Sequence, residues 1–242
     1  MNAKLQSKAG RNAMLLAAFT LGAIAYASGL IEEILTHGPD IVYLAQQHMV
    51  LVAISGGLAI LVGIPLGIWL SRPSMRGIAE TAMQSLNVGT TVPTLAILAL
   101  AMTILGIGIL PAVFALWLAS LLPIVRNTYQ GLLSVPRHLI EAAHGMGMRP
   151  SQILWRVELP NALFVMFAGI RTALAINVGT APLAFLIGGG GLGELIFTGI
   201  DLNETGMMLA GAIPTALLAV LVDYSTGIIS YWLVPRGVNP LR

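Results

Sequence analysis

Two ionisable side chains, Arg171 and Asp223, stand inside long apolar stretches of this 242-residue sequence. A charge in such a stretch costs about 3 kcal/mol on membrane-insertion scales, so it normally pairs with another charge or faces a polar cavity. Arg171 lies eleven residues after Pro160, and Asp223 lies eleven residues before Val234, which gives both a similar depth if the segments are helical. We therefore predict an ion pair between Arg171 and Asp223, with separate solvation of each charge as the alternative.

Other residues that could do chemistry are few. Asn177 and Thr180 lie midway along the stretch that contains Arg171, where they can contact a passing solute or hydrogen-bond to another helix. The sequence has no Cys and its four His are scattered, so no metal ligands or thiol nucleophile are indicated. No Gly-Lys-Ser or Gly-Lys-Thr occurs, so no nucleotide-binding P-loop is predicted. We expect no enzyme, no cofactor in this chain and no nucleic-acid partner.

The elements that must position these residues are membrane-spanning helices. Only 9% of the residues are charged, against about 25% in an ordinary soluble domain. A bilayer core requires about 20 mainly apolar residues per helix, and six stretches meet that requirement: residues 13–31, 49–70, 82–105, 109–127, 162–187 and 207–234. We predict an all-α integral membrane protein with six transmembrane helices.

Basic residues accumulate in cytoplasmic loops, and here they predict the orientation. The Lys and Arg outside the predicted spans all fall on one side: Lys4, Lys8, Arg11, Arg72, Arg76, Arg137, Arg149, Arg156, Arg236 and Arg242. The opposite loops, residues 32–48, 106–108 and 188–206, contain no Lys or Arg. We therefore expect both termini in the cytoplasm. Residues 25–27 mimic a signal-peptidase site, but cleavage would leave five spans, so we expect the first span to be retained.

Gly188, Gly190 and Gly193 have the spacing of a dinucleotide-binding loop, but no βαβ pattern surrounds them. We expect instead a flexible, tightly turning loop on the outer side. Gly63 and Gly67, four residues apart, can bring two helices close together, although Pro65 between them makes a local kink the alternative.

The polar stretch 130–160 is the one long loop on the cytoplasmic side. Residues 139–146 predict a short helix that breaks at Gly147, and residues 151–158 predict a second helix with Pro150 in its first turn and Pro160 at its end. A soluble partner would bind here. Composition alone leaves a solvated linker as the alternative.

This loop also resembles the EAA loop of ABC-transporter permeases, in residue type and in spacing. The matching residues are Glu141, Ala142, Ala143, Gly147, Val157, Leu159 and Pro160. Val157 stands where the family usually has Ile. The runs 122–129, 145–148, 168–172 and 188–193 are similar to the osmoprotectant branch of the family, which comprises permeases for glycine betaine, choline, carnitine and related quaternary amines.

The resemblance implies a type I ABC importer permease of the bacterial inner membrane, in contact with lipid. Residues 1–44 would form a cytoplasmic start and a peripheral first helix, residues 45–226 the core, and residues 227–242 the end of the last helix and a tail. Partner ATPase subunits would bind ATP and receive the loop in a groove. A second permease, identical or related, and an extracytoplasmic binding protein would complete the transporter.

Three alternatives remain at this stage. The permease could carry another small solute such as methionine. An ion-coupled secondary transporter could use Arg171 and Asp223 as its switch. A membrane enzyme is the third alternative, but the sequence offers no cluster of acids, bases or metal ligands to support it.

Overall fold

The structure is a computed structural model that describes residues 19–20, 22, 26–89 and 91–239, apart from the side chain of Arg76. Within these residues all regular structure is helical, which confirms the predicted all-α class. The first predicted span, residues 13–31, lies mostly outside the described residues, as do Lys4, Lys8, Arg11 and Arg242.

Ten α-helices follow one another along the described part of the chain. They are α1 (Leu30–Thr36), α2 (Gly38–Leu70), α3 (Arg76–Gly89), α4 (Thr94–Leu105), α5 (Ile109–Leu133), α6 (Arg137–Gly145), α7 (Pro150–Ile153), α8 (Leu159–Thr180), α9 (Gly193–Asp201) and α10 (Thr205–Leu233). Two 3₁₀ segments, Pro73–Met75 and Ala181–Ile187, and one π-helical turn, Leu154–Glu158, connect some of them.

Four helical stretches in the described residues are long and apolar enough to cross a membrane. They are Gly38–Leu70, Ile109–Leu133, Pro150–Ile187 and Thr205–Leu233. These stretches contain the predicted spans 49–70, 109–127, 162–187 and 207–234. A bent pair, α3 with α4, makes a fifth if it is counted as one span.

The predicted span over residues 82–105 is formed by two helices rather than one. α3 and α4 are bent by 100° relative to each other. Pro93 precedes the first residue of α4 with an extended ψ of 137°, and a proline disfavours the helical conformation of the residue before it, here Val92. The two helices together have the predicted apolar composition, and the bend lies between Gly89 and Thr94, where Pro93 is the residue before α4.

α2 begins eleven residues before the predicted start at Met49, in a stretch that was assigned to an outer loop. Pro39 lies in the first turn of α2 and Asp40 places a negative charge there. Both features favour a helix start, because proline needs no hydrogen-bonded N–H in this position and a carboxylate complements the helix dipole. The polar residues that follow made the stretch resemble a loop.

Pro160 does not end a helix, contrary to the prediction. The chain passes through the π-helical turn Leu154–Glu158, in which Leu159 N–H donates to Leu154 O, and continues directly into α8. A proline inside a helix removes one hydrogen bond and crowds the carbonyl four residues earlier. The wider π-helical turn accommodates this proline, so the loop and α8 form one continuous helical stretch.

α2, α5 and α8 form the centre of the bundle, and glycines on α2 set their close approach. A Cβ atom at Gly63 would lie 2.8 Å from Ile124 Cγ2, and one at Gly67 would lie 2.6 Å from Thr128 Cβ. Gly63 and Gly67 thus place the backbone of α2 directly against α5. The local kink at Pro65, offered as an alternative reason for these glycines, is not needed to explain them.

The glycine run after α8 makes the expected tight turn, with φ of 77° at Gly188, 74° at Gly190 and 86° at Gly191. The turn is packed rather than extended into solvent. Gln47 Oε1 accepts the Gly191 N–H at 3.2 Å, and a Cβ at Gly190 would lie 2.6 Å from the same oxygen. The run therefore fastens the start of α9 to α2.

Candidate functional site

The loop between α5 and α8 is a helix, a tight turn and a second helical segment, and we call residues 137–160 the bent segment. At the end of α6, Met148 N–H donates to Ala143 O at 3.1 Å and Gly147 N–H donates to His144 O at 2.9 Å. These two bonds form a Schellman motif, which requires a left-handed residue. Gly147 supplies it with φ of 75°, so the predicted break at this glycine is confirmed.

The three residues of the Glu-Ala-Ala motif do not point the same way. Ala143 is fully buried against the body of the protein, whereas Glu141 and Ala142 are exposed. Only Glu141 and Ala142 are therefore available to a partner. The sequence analysis treated both alanines alike as points of close approach, because it could not assign the faces of so short a helix.

Two large apolar side chains on the bent segment are exposed as well. Met146 is 73% exposed, one helical turn after Ala142, and Trp155 is 69% exposed on the π-helical turn. Both side chains are thus left uncovered by the described part of the chain. The sequence analysis did not single out Met146 or Trp155. The four-residue spacing from Ala142 to Met146 would have placed Ala142 and Met146 on one helix face.

The inner side of the bent segment is anchored by an apolar cluster. Ile140 of α6, Leu154 of the π-helical turn and Leu159 of α8 pack against a buried group from α5, α8 and the turn after α5. The buried members are Leu132, Val135, Ala162 and Met166. Val157 and Pro160, also members of the predicted site, are half-buried on the same stretch.

An ion pair adds a second anchor. Arg72, just after α2, donates through Nη1 to Glu158 Oε2 at 2.7 Å, and the two side chains are 29% and 14% exposed. Arg72 Nε also donates to Ile68 O at 3.2 Å, which fixes the guanidinium at the end of α2. The sequence analysis used Arg72 only for orientation and missed Glu158. A carboxylate just before a membrane helix was the available signal.

Behind these anchors lies an open cavity of about 680 Å³. It is bounded by the end of α2, the end of α5 and the bent segment, and charged groups of both signs line it. The cavity leaves space between the bent segment and the bundle, so the segment has room to shift while its anchors hold.

Arg171 and Asp223, the predicted intramembrane pair, are brought together by the structure. The Nε and Nη2 atoms of the Arg171 guanidinium donate to the two carboxylate oxygens of Asp223, so the contact is bidentate. This contact ties α8, which continues from the bent segment, to α10. Gly227 lies next to the same guanidinium, one turn after Asp223, and leaves room for it.

Asn177 and Thr180 are not brought together at one surface. Asn177 is buried, and its Nδ2 donates to Ser55 Oγ of α2 at 2.9 Å, which is the interhelical hydrogen bond that was the alternative to solute contact. Thr180 donates to Ile176 O at 2.9 Å within its own helix. Nearby, the buried His48 contacts Val178 O at 3.1 Å through Nε2. Polar contacts therefore fasten α2 to α8.

In the described residues, no group of three or more His, Asp or Glu side chains could hold a metal ion. The arrangement is mechanical: an exposed patch of Glu141, Ala142, Met146 and Trp155 is carried by a bent segment with firm anchors to α2, α5 and α8.

Comparison with known proteins extends this description. The family described as "Binding-protein-dependent transport system inner membrane component" matches residues 63–236. The osmoprotectant import permease protein OsmY of Salmonella typhimurium is 60% identical over 193 residues, which are 80% of this chain and 82% of that protein. The choline transport system permease protein OpuBB of Bacillus subtilis is 39% identical over 213 residues, 88% of this chain and 97% of that protein.

Among solved structures, an inward-facing form of the MetNI methionine ABC transporter contains a chain with the same fold. The TM-score is 0.72 at 24% sequence identity, and the match covers 81% of this chain and 96% of that chain. The shared part includes most of the described helices.

Proposed function

Because this chain belongs to the family of binding-protein-dependent transport system inner membrane components, we propose that it is the permease subunit of an ATP-driven osmoprotectant importer. Family membership makes the chain a multi-pass inner-membrane transport component and not an enzyme. The relatives named for osmoprotectants, for choline and for glycine betaine, carnitine and choline support this class of solute over the methionine alternative.

The observation that carries the proposal is the exposed patch on an anchored bent segment. Glu141 and Ala142 of the motif, Met146 and Trp155 are all exposed on the bent segment, and no described residue covers them. An ATPase subunit with a complementary groove would bury the two apolar side chains and offer a donor to Glu141. In this proposal ATP is bound by that partner, since this sequence contains no P-loop.

Movement at the patch would reach the membrane by two routes. The bent segment continues into α8 as one helical stretch, Pro150–Ile187, so a tilt of the segment tilts α8. The Arg72–Glu158 ion pair would transmit the same movement to the end of α2. Closure of two ATPase subunits around ATP would thus shift these helices and open the pathway to each side in turn.

The remaining parts of the assembly follow from the same proposal. The bent segment lies in the cytoplasm, as do both termini, and the glycine run and α9 face outward towards a binding protein that delivers the solute. A second permease, identical or related, lies opposite this chain and completes the pathway.

The test is uptake by the complete transporter in proteoliposomes. We expect radiolabelled glycine betaine or choline to accumulate only when the binding protein and ATP are both supplied, and to accumulate equally after an ionophore has abolished the membrane potential. Uptake that continues without ATP and stops when the potential is abolished would instead establish an ion-coupled secondary transporter.

A further inference from the structure

A second cavity, of about 510 Å³, lies between α3, α5 and α8, away from the bent segment. This volume is in the range of about 300–1,000 Å³ that is usual for small-ligand pockets. Its position depends on the bend after α3: Gly89, the last residue of α3, lies against Leu122 of α5, so α3 stops beside the middle of the bundle.

The cavity contains an arginine whose charge is not neutralised. Arg126 of α5 lines it, and no ion pair involves Arg126 in residues 26–89 and 91–239. Arg126 lies seven residues before the end of α5, or ~10 Å along the helix axis. Arg171 differs from Arg126 in this respect. It is adjacent in sequence to Thr172 on the cavity wall, but it is already paired with Asp223.

The cavity is lined by both polar and apolar side chains. Arg126 and Gln130, one turn apart on α5, present a guanidinium and an amide, and Asn87 and Thr172 add polar groups from α3 and α8. Leu86, Leu122 and Pro123 supply apolar surface. Charged groups within membrane helices normally face a polar cavity or a permeation path rather than lipid.

We infer that this cavity is a solute site in the permease itself, in which Arg126 binds the carboxylate of a zwitterionic quaternary amine such as glycine betaine or carnitine. The planar guanidinium suits a carboxylate, because it can donate two parallel hydrogen bonds. The methylated ammonium cannot donate hydrogen bonds, and it would rest against the leucine and proline surface. This inference rests on the proposed function and adds to it a preference for solutes that carry a carboxylate over choline, which carries a hydroxyl.

The experiment compares two solutes in the complete transporter. Glycine betaine and choline uptake are measured in proteoliposomes that contain wild-type chain, Arg126→Gln or Arg126→Lys. Each is assembled with the ATPase subunits and the binding protein and, if the second permease is a different chain, with that chain unaltered. Because the binding protein is the same throughout, a changed preference must arise in this chain. Arg236→Gln is the matched control, since Arg236 is an exposed arginine after α10 that takes no part in the cavity.

We expect Arg126→Gln to lower the ratio of glycine betaine to choline uptake efficiency (kcat/KM) about tenfold or more, through loss of a charge-assisted bond. Arg126→Lys should give a ratio between those of the wild type and Arg126→Gln, because it keeps the positive charge but loses the bidentate geometry. Arg236→Gln should leave the ratio unchanged. Size-exclusion chromatography of each complex checks that the variants assemble.

Three results overturn the inference. The first is a ratio that Arg126→Gln changes less than twofold, and the second is an equal fall for both solutes. The third is a changed ratio that occurs only in vesicles containing the anionic lipid phosphatidylglycerol, which would assign Arg126 to a lipid phosphate. If the wild-type complex hydrolyses ATP but transports neither solute, the proposed solute class is wrong and the inference is wrong with it. If the wild type transports both solutes, the proposed solute class stands, and any of the three results above contradicts the inference alone.

Discussion

A single backbone conformation at Gly147 determines the shape of the exposed patch. The ideal Cβ position at this glycine has no atom within 4 Å, so a side chain would find space there. The constraint is the left-handed φ, which costs about 1–2 kcal/mol for a residue with a Cβ atom. A substituted chain would open the Schellman turn and turn α6, with Glu141 and Ala142, away from its present direction.

We predict that Gly147→Val reduces ATPase binding and uptake by roughly five- to thirty-fold, the population factor that corresponds to 1–2 kcal/mol. Gly147→Asn should retain most activity, because asparagine tolerates the left-handed region. Co-purification of the ATPase subunit and ATP-dependent uptake measure both effects. Gly145→Ala is the control: Gly145 is helical with open space around its Cβ position, and this change should be neutral. Equal activity of the Val and Ala variants would contradict the prediction.

At the scale of elements, the π-helical turn decides how the bent segment is joined to the membrane. A helix ended at Pro160 would leave a flexible joint between the segment and α8, whereas the observed turn makes them continuous. Glu158 lies at the last position of that turn, where it meets Arg72 at the end of α2. Sequence spacing alone could not reveal the pair, because the contact joins positions 86 residues apart.

We predict that Glu158→Gln uncouples the transporter. The variant should retain ATP hydrolysis while uptake falls several-fold, since removal of one partner from a partly buried pair costs between about 1 and 3 kcal/mol. The double change Arg72→Glu with Glu158→Arg should recover part of the uptake. Glu80→Gln is the control, because Glu80 lines the same cavity without an ion pair in the described residues. A double variant no better than the single one would argue against transmission through this pair.

At the scale of the whole molecule, hydropathy was sufficient to place four of the long helices. It was not sufficient to predict whether the helix would continue at Pro93 and at Pro160. At Pro93 the chain bends by 100°, whereas at Pro160 the helix continues. The π-helical turn Leu154–Glu158 accommodates Pro160, and this backbone geometry could not be predicted from hydropathy. The pair Arg171–Asp223 could be predicted because helix depth is a linear function of residue number, while the faces of α6 depend on packing with α5 and α8.

The Arg171–Asp223 contact joins the helix nearest the bent segment to the last helix, so its test concerns the whole bundle. We predict that Arg171→Ala and Asp223→Ala each lower uptake and the thermal unfolding temperature of the detergent-solubilised protein, because each leaves one charge unpaired between α8 and α10. The exchange Arg171→Asp with Asp223→Arg should restore a substantial part of both quantities. Exchange and single variants with equal losses would show that the pairing itself contributes nothing.

The glycines of α2 have a consequence for how such a protein can change shape. At Gly63 and Gly67 the backbone of α2 lies directly against the side chains of Ile124 and Thr128, so sliding or rotation between α2 and α5 would produce steric overlap at both positions. The Ser55–Asn177 hydrogen bond adds α8 to this unit. We therefore expect α2, α5 and α8 to move together, with relative movement concentrated at the α3–α4 bend, which lies outside these contacts.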